Sequence, residues 1–265
     1  MDEPGVGERL GRYVIEAEVG RGSMGTVYRA RGDDGDVVAL KVASPSLAAD
    51  PVYRRRFERE ARIASGLDHP HVVAVLGAGE DDGRLYLVTR LVEGRTLADR
   101  IVDGPLRDAE TVAIASQLAS ALDALHDRDL LHRDVKPANV LLDERGNAAL
   151  ADFGLARGAA DSVLTQRGRV SGTIDYLAPE VIRGEPATPA SDLYALGCVL
   201  YECLAGAPPF AGRPVAETIL AHLEAQPEPL ASPLSDAVLL ALAKDPGARP
   251  PTATAYALMV RVSRP

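Results

Sequence analysis

Lysine is rare in this chain, so each lysine is a candidate for a specific role. Lys41, Lys136 and Lys244 are the only lysines among the 265 residues, and the other basic residues are arginines. Lys41 lies in the apolar run Val37–Val42, which is typical of a strand. A compact ammonium can reach paired phosphates where the wider guanidinium fork would not fit. A solvated surface lysine is the usual alternative, and we adopt it only for Lys244.

A glycine cluster with the spacing GxGxxGxV occupies residues 20–27, ahead of Lys41. Gly20, Gly22 and Gly25 would let a hairpin lie close over phosphate groups, with backbone N–H groups exposed to them. The same spacing opens a helix in dinucleotide-binding folds, whereas here a predicted strand follows. An ordinary structural turn remains about equally supported by this segment alone.

Glu60 is the candidate partner of Lys41, because a buried ammonium needs a counter-charge. It belongs to the predicted helix Pro51–Ser65 and shares a face with Phe57 and Ala64. Glu58 is the alternative, but it would lie on roughly the opposite side of that helix.

The most specific segment is His132–Asn139, with the sequence HRDVKPAN. Asp152-Phe153-Gly154 follows thirteen residues after Asn139, and Ala178-Pro179-Glu180 lies beyond it. On its own, neither the tripeptide Asp-Phe-Gly (DFG) nor the tripeptide Ala-Pro-Glu (APE) would indicate a function. Together with the glycine cluster and Lys41, however, the order and spacing of these segments are far beyond chance.

The elements that must position these residues divide the chain into two parts. Residues 12 to about 95 are strand-rich with one helix, and the chain after Gly94 is dominated by helical periodicity. The predicted strands are Tyr13–Val19, Thr26–Ala30, Val37–Val42, Val72–Leu76 and Arg84–Leu91. The predicted helices are Pro51–Ser65, Ala109–His126, Ala190–Ala205, Val215–Ala225, Ser235–Lys244 and Thr252–Val262.

Composition excludes several other classes of protein. The net charge of −9 argues against nucleic-acid binding, and the longest apolar stretch, Leu193–Tyr201, is too short to span a membrane. The acidic N-terminus does not resemble a signal peptide. Cys198 and Cys203 point to different faces of one apolar helix, which is typical of buried thiols in a reducing compartment.

From about Tyr13 to Val262 the sequence resembles a eukaryotic-type protein kinase domain, and most of all the actinobacterial receptor-type serine/threonine kinases. This resemblance implies an α+β, bilobal protein kinase fold. The small antiparallel β N-lobe with one main helix would cover residues 12–89, the hinge 90–94 and the larger helical C-lobe 95–262. It also implies Mg²⁺·ATP-dependent transfer of a phosphoryl group to Ser or Thr hydroxyls of proteins.

The resemblance assigns roles to the catalytic and metal-binding residues. Asp134 would accept the proton of the substrate hydroxyl, Lys136 would neutralise charge at the γ-phosphate, and Thr173 would hydrogen-bond both. Asn139 and Asp152 would hold Mg²⁺, which Mn²⁺ could replace. Lys41 would grip the α- and β-phosphates while Glu60 orients it.

The resemblance also predicts the adenine pocket. Thr89 would be the gatekeeper, and the backbones of Arg90 and Val92 would bond the adenine edge. The remaining contacts would come from the glycine cluster and from apolar side chains: Val19, Val27 and Ala39 above adenine and Leu141 below it.

The resemblance implies two further structural roles and one regulatory role. Asp192 would brace the catalytic-loop backbone, and Arg249 would pair with Glu180. Thr165 would be autophosphorylated, and its phosphate would pair with Arg133. Ser171 and Thr173 are competing acceptors, but both would lie close to the substrate platform, and the alternative for Thr165 is an ordinary loop residue.

The expected partners are ATP and protein substrates, with no nucleic acid and no membrane segment in this chain. An N-lobe homodimer is a further expectation from the relatives. A cytoplasmic location is expected unless the gene continues past residue 265 into a membrane anchor. Two other classes of protein are the alternatives. A pseudokinase would normally lack one of Lys41, Asp134, Asn139 or Asp152, and a small-molecule phosphotransferase would lack this set of motifs.

Overall fold

The computed structural model of the chain describes residues 3–22, 24–152 and 174–263. The chain divides into two compact units: an N-terminal unit of residues 1–93 and a C-terminal unit of residues 94–265.

The N-terminal unit contains an antiparallel sheet with the strand order β1-β2-β3-β4-β6-β5. Its described strands are β1 (Arg9–Leu10), β2 (Tyr13–Gly22), β3 (Gly25–Gly32), β4 (Val37–Ala43), β5 (Val75–Asp81) and β6 (Arg84–Arg90). Its described helices are α1 (Pro45–Ala48) and α2 (Pro51–Ala64). Four of the five predicted strands correspond to β2, β3, β4 and β6.

The two faces of this sheet differ because side chains alternate along each strand. On β4, Val38, Leu40 and Val42 are each at most 4% exposed and belong to the hydrophobic core of the unit. Ala39 and Lys41 point to the opposite face and are half-buried. Strand β4 therefore places the polar side chain of Lys41 on the face of the sheet that lies opposite the hydrophobic core.

Helix α2 begins and ends close to the predicted positions. The side chain of Asp50 caps it by accepting from the backbone N–H of Val52 at 2.8 Å, and Pro51 occupies its first turn. Tyr53, Phe57, Ala61 and Ala64 form its buried face. Phe57 and Ala64, which the apolar periodicity placed on one face, are both buried, whereas Val52 is 54% exposed.

The predicted strand Val72–Leu76 is wrong in position, because the strand in this region is β5, Val75–Asp81. Strand β5 continues through Gly77 and Gly79, although glycine is depleted in strands. A Cβ on Gly79 would come within 2.4 Å of the Tyr86 hydroxyl oxygen. Glycine is therefore present to accommodate the Tyr86 side chain on the neighbouring strand, and it does not interrupt the pairing.

The C-terminal unit is mainly helical, as predicted. A small antiparallel sheet has the order β7-β8-β9. Its strands are β7 (Gly94–Thr96), β8 (Val140–Asp143) and β9 (Ala148–Leu150). The described helices are α3 (Leu97–Val102), α4 (Asp108–His126), α5 (Pro179–Ile182), α6 (Pro189–Ala205), α7 (Val215–Glu224), α8 (Ser235–Ala241) and α9 (Ala253–Val262). No helix in the described part of the chain is long and apolar enough to cross a membrane.

Helix α6 is the central helix of this unit and is buried along nearly its whole length. It begins with a capping box between Thr188 and Ser191, and it ends at Gly206, whose φ of 79° closes the helix in the left-handed conformation. Cys198 and Cys203 are both buried and free, as the helical pattern predicted. Burial of both faces explains why the sequence of this helix is apolar throughout.

Lys244 corrects one sequence-based expectation, because it is not a surface residue. Its ammonium donates to the carbonyl of Ala221 at 3.2 Å and lies 4.9 Å from the centre of the Phe210 ring. Burial lowers its pKa to about 8. The groups that surround it come from distant segments, which local sequence could not indicate.

Candidate active site

The glycine cluster forms the hairpin between β2 and β3, in which Gly22 pairs with Gly25. A strand follows the cluster, as predicted. Gly25 has a φ of 147°, and a Cβ there would lie 1.9 Å from the carbonyl oxygen of Val42. Gly20 and Gly22 have open space where a Cβ would be, with nothing nearer than 3.9 Å. Of these three glycines, Gly25 is therefore the one at which the fold requires glycine.

Lys41 lies in a row of side chains that crosses the sheet. It pairs in register with Val27 on β3 and with Leu87 on β6. Ala39, two residues earlier on the same face, pairs with Thr89. The sheet thus brings Val27, Ala39, Lys41 and Thr89 to one face, whereas Val19 is 59% exposed beside a register shift in β2.

Glu60 occupies the position on α2 that the helical pattern predicted. It is half-buried and shares a face with Phe57 and Ala64, whereas Glu58 is exposed. Burial raises the pKa of Tyr53 to about 12, and the charge of Glu60 adds to this effect. The pairing of Glu60 with Lys41 stays a prediction.

Arg90 ends strand β6, and its backbone N–H donates to the carbonyl of Ala74 at 2.9 Å. If the backbone of Arg90 bonds an adenine edge, its carbonyl oxygen would therefore be the group that accepts the hydrogen bond. Val92 follows two residues later and is half-buried.

In the C-terminal unit, Asp192 holds the backbone that precedes the candidate catalytic aspartate. Its Oδ2 accepts from the N–H of His132 at 2.9 Å, and its Oδ1 accepts from the N–H of Arg133 at 2.8 Å. Arg133 has a φ of 62°, a conformation that a residue with a side chain adopts at a cost. The bracing role predicted for Asp192 is confirmed.

The sequence analysis assigned no role to His126, which lies at the end of a predicted helix. Its Nε2 lies 2.9 Å from Oδ2 of Asp192, so the carboxylate is held by the last turn of α4 as well as by the loop. The two side chains lie 66 residues apart in sequence, and no local pattern indicates the contact.

His132 connects the candidate catalytic residue to the start of the DFG segment. Its Nδ1 accepts from the N–H of Asp134 at 3.2 Å, and its Nε2 lies 3.0 Å from the carbonyl of Ala151. Burial lowers the pKa of His132 below its usual value. One acceptor and one donor are what a neutral imidazole offers, so the two bonds fix its tautomer with the proton on Nε2.

Two donors orient the carboxylate of Asp134. The ammonium of Lys136 lies 2.9 Å from its Oδ2. The amide nitrogen of Asn139 donates to the same oxygen at 3.0 Å and to the backbone carbonyl of Asp134 at 2.8 Å. The side chain of Asp134 is only 13% exposed, so these charge-assisted bonds fix its direction.

The donor set near Asn139 fits a small divalent cation. Because the amide nitrogen of Asn139 is used on Asp134, its Oδ1 faces elsewhere and accepts no hydrogen bond within the described residues. The N–H of Ala151 donates to the carbonyl of Asn139 at 2.8 Å, so Asp152 directly follows a residue that is bonded to Asn139. No cluster of three or more His, Cys, Asp or Glu side chains that could hold a metal occurs in the described segments. Mg²⁺ needs only one or two protein ligands when phosphates and water complete its shell.

Leu141, predicted to lie below adenine, is on β8, where it pairs with Thr96 and Ala149. It is half-buried. Phe153, Thr165 and Thr173 lie outside the described residues, and the roles predicted for the two threonines stay predictions.

Glu180 and Arg249 form the ion pair that the sequence predicted. The two guanidinium nitrogens of Arg249 lie 2.8 Å from the two carboxylate oxygens of Glu180. Burial opposes ionisation of Glu180, but the bonds from Arg249 and Ser191 leave its pKa below the usual value. This pair lies in the interior and supports the segment that begins at Ile174.

Comparison with known proteins agrees with these features. A family model described as the protein kinase domain matches residues 13–255. This chain belongs to the protein kinase family. The predicted family and the predicted α+β fold are confirmed. A crystal structure of the Mycobacterium tuberculosis PknI kinase domain superimposes on 98% of this kinase with a TM-score of 0.80 and 32% identity, and 99% of that chain is covered.

The similar curated proteins are serine/threonine-protein kinases. PknE of Mycobacterium tuberculosis is 48% identical over 208 residues, which cover 78% of this kinase and 37% of PknE. PknH of Mycobacterium bovis is 45% identical over 221 residues, which cover 82% of this kinase and 37% of PknH. PknD of Mycobacterium tuberculosis is 44% identical over 229 residues, which cover 85% of this kinase and 34% of PknD. This kinase therefore spans little more than a third of the length of these relatives.

Proposed function

We propose that this chain transfers the γ-phosphate of ATP to Ser or Thr hydroxyl groups of proteins. The observation that carries the proposal is the arrangement around Asp134, whose Oδ2 is held by both Lys136 and Asn139. A carboxylate fixed in this way can receive the proton of a substrate hydroxyl while a neighbouring ammonium neutralises the phosphoryl group. Such transfer depends on positioning and charge stabilisation more than on covalent chemistry.

In this proposal Asp134 accepts the hydroxyl proton and aims the oxygen at the γ-phosphate. Lys136, whose ammonium lies 2.9 Å from Oδ2 of Asp134, would contact both this carboxylate and the transferred group. Thr173 would complete the substrate platform by bonding these two side chains. Asp192 and His126 act indirectly, since they hold the backbone on which Asp134 is placed.

The N-terminal unit would supply most of the ATP contacts. Lys41 would bind the α- and β-phosphates, with Glu60 as its counter-charge. The open space at Gly20 and Gly22 supports a loop that phosphates approach closely, because the fold gives no other reason for glycine at either position. The adenine contacts would be those predicted from the sequence: Val19, Val27, Ala39, Thr89, the carbonyl of Arg90, the backbone of Val92, and Leu141 from the C-terminal unit.

Asn139 Oδ1 and the carboxylate of Asp152 would hold the metal, for which we propose Mg²⁺, with Mn²⁺ as a substitute. Bound there, the metal would supply positive charge that offsets the negative charge of the phosphate groups. Asn139 would thereby act twice, through its nitrogen on Asp134 and through its oxygen on the metal.

Regulation and assembly are proposed by similarity. Thr165 would be autophosphorylated and its phosphate would bind Arg133, which directly precedes Asp134. A homodimer through the N-lobe and a cytoplasmic location also remain proposals.

The test is phosphate transfer by the purified chain with Mg²⁺ and γ-labelled ATP, using myelin basic protein as the substrate. We expect labelled phosphoserine or phosphothreonine from the wild-type chain. Asp134→Asn should lower turnover by about two to four orders of magnitude with nearly unchanged ATP affinity. No transfer by the wild-type chain, despite ATP binding, would indicate a pseudokinase. Transfer to an aminoglycoside but not to protein would indicate a small-molecule kinase.

A further inference from the structure

A short segment at the start of the chain packs against the six-stranded sheet of the N-terminal unit. We call residues 3–8 the N-terminal strap. Pro4 is buried, and it lines a small recess together with Val42 and Ala43 at the end of β4. Val42 belongs to the hydrophobic core of this unit, whereas Lys41 points to the other face of the sheet. The strap therefore lies on the core face, opposite Lys41.

The later residues of the strap are attached to two separate strands. The N–H of Gly7 donates to the carbonyl of Ile15 on β2 at 2.8 Å, and the N–H of Ile15 donates to the carbonyl of Glu8 at 3.0 Å. The carboxylate of Glu8 lies 2.6 Å from a guanidinium nitrogen of Arg84 on β6. Strands β3 and β4 lie between β2 and β6 in the sheet. The strap is thus anchored to the sheet independently of its first residues.

The first described residue of the strap reaches the hairpin of β2 and β3, which we call the glycine hairpin. The carboxylate of Glu3 contacts the guanidinium of Arg21 on β2, and it accepts from the hydroxyl of Thr26 on β3 at 3.3 Å. Arg21 and Thr26 are paired in register across the hairpin. The next pair toward the tip is Gly22 with Gly25. One carboxylate therefore bridges both strands of the hairpin close to its tip.

This bridge lies on the face of the hairpin that is turned away from the proposed phosphate site. Side chains alternate along a strand, so Thr26 and Val27 point to opposite faces. Thr26 is 1% exposed on the core face, and Val27 pairs with Lys41 on the other face. Glu3 can therefore hold the hairpin without entering the ATP site, and its negative charge stays on the far side from the phosphates.

Strand β2 has little other support where it forms the hairpin. Residues 17–22 are all exposed, and β1 pairs with β2 at Tyr13 and Val14, well before the hairpin. The β3 strand is better held, because it pairs along its length with β4. The hairpin is therefore fixed along one strand and weakly supported along the other.

Arg21 is the side chain through which Glu3 holds the weakly supported strand. A carboxylate oxygen of Glu18 lies 2.8 Å from the same guanidinium, but a contact within β2 cannot fix β2 relative to its neighbours. Glu3 belongs to a segment that is anchored elsewhere in the unit, so its contact can. The side chains of Arg21 and Glu3 are 52% and 36% exposed, so solvent screens the ion pair and its effect should be modest.

We propose that Glu3 is a positioning residue for ATP, because it holds the glycine hairpin in the form that binds the phosphates. A hairpin that is already held in place loses less conformational freedom when ATP binds. Loss of the Glu3 charge should therefore weaken the binding of the phosphates and leave the adenine contacts unchanged. This inference rests on the proposed function and adds to it a residue that does not touch ATP.

The test compares the wild-type chain with Glu3→Gln, which removes the charge and keeps the shape of the side chain. Isothermal titration calorimetry measures the affinity for ATP with Mg²⁺ and, separately, for adenosine, which has no phosphates. We expect about threefold weaker binding of ATP and an unchanged affinity for adenosine. In kinase assays the KM for ATP should rise about threefold with nearly unchanged kcat, because the groups around Asp134 are intact.

Further variants test the route through Arg21. Arg21→Met alone should weaken ATP binding at least as much as Glu3→Gln does. Adding Glu3→Gln to Arg21→Met should change the affinity by less than about 1.5-fold, because the partner is already absent. Asp33→Asn is the matched control, since it breaks an exposed ion pair with Arg9 at the end of β3 away from the hairpin. It should bind ATP like the wild-type chain, and thermal unfolding should give the same Tm for Asp33→Asn and Glu3→Gln.

Equal ATP affinity of the wild-type chain and Glu3→Gln would overturn the inference. Equal losses for ATP and adenosine would also overturn it, because they would show a loosening of the whole pocket. A threefold loss on adding Glu3→Gln to Arg21→Met would show that Glu3 does not act through Arg21, with the same consequence. A wild-type chain that binds no ATP would overturn the proposed function and this inference with it, whereas failure of the inference alone appears only in the variants.

Discussion

Glu180 and Arg249 lie 69 residues apart in sequence and form a bidentate ion pair in the interior of the C-terminal unit. Their side chains are 3% and 0% exposed. The guanidinium also donates to the carbonyls of Ala190 and Ala243, and Ser191 donates to Glu180. The pair therefore joins α5, the start of α6 and the segment after α8.

Breaking this pair should cost far more than its net contribution to stability. Glu180→Met or Arg249→Met leaves one buried charge without its partner, and we expect a loss of about 3–5 kcal/mol in the free energy of unfolding. The double variant should lose less than the sum of the two. Chemical unfolding of the four proteins measures the coupling. Arg100→Met breaks a more exposed pair and should cost only about 0–1 kcal/mol. Strictly additive losses at 180 and 249 would contradict the coupling.

The glycines of the hairpin should separate into one structural residue and two functional ones. Gly25→Ala should destabilise the chain by about 1–3 kcal/mol, because its φ is positive and a Cβ would collide with Val42. Gly22→Ala has room and should change stability by less than about 0.5 kcal/mol while raising the KM for ATP. Thermal melts and ATP titrations check both. An unchanged KM in Gly22→Ala would contradict the close approach of phosphates.

Lys244 should make stability depend on alkaline pH. Its pKa is about 8 in the folded chain and about 10.4 in an unfolded one, so the unfolded state binds more protons between these values. Stability should therefore rise with pH across this window and be insensitive to this group below it. Relative to Lys244→Met, the wild-type chain should gain about 1 kcal/mol between pH 7.5 and 10, after allowing for solvent screening. If the free energies of unfolding of the two proteins changed with pH in the same way, this prediction would be refuted.

Thr165 should acquire phosphate when the chain is incubated with Mg²⁺ and ATP. The phosphate would add close to two negative charges near Arg133 and pair with its guanidinium. Peptide mass spectrometry locates the modification, with Asp134→Asn as the inactive control. We expect Thr165→Ala to lower activity on protein substrates. Full activity of that variant, or phosphate only on Ser171 or Thr173, would refute the switch.

The sequence predicted the features that depend on short segments. Helix α2 was found from its apolar periodicity and Pro51, and the strand of Lys41 from its β-branched run. Strand β5 was misplaced although it continues through Gly77 and Gly79, and at Gly79 glycine reflects packing against Tyr86, a contact across the sheet. Residues 132–139 were recognised because their chemistry is concentrated in eight consecutive positions.

The site features that were missed depend on contacts between distant segments. His126 reaches Asp192 across 66 residues, and nothing around His126 distinguishes it from a surface histidine at a helix end. Lys244 is half-buried because Phe210 and the carbonyl of Ala221 surround it. In contrast, the choice of Glu60 over Glu58 rested on helical geometry alone, and their burial agrees with it.

The attachment of the catalytic loop to Asp192 makes the loop part of the most protected region of the C-terminal unit. The amides of His132 and Arg133 bond to a carboxylate in the first turn of α6, which is buried. These amides can exchange their protons with solvent only when the loop separates from α6. The loop therefore shares the lifetime of the helical core, although it has no regular secondary structure of its own before Pro137. On heating, catalytic geometry and core should be lost in one cooperative step, and no folded chain with a disordered catalytic loop should accumulate.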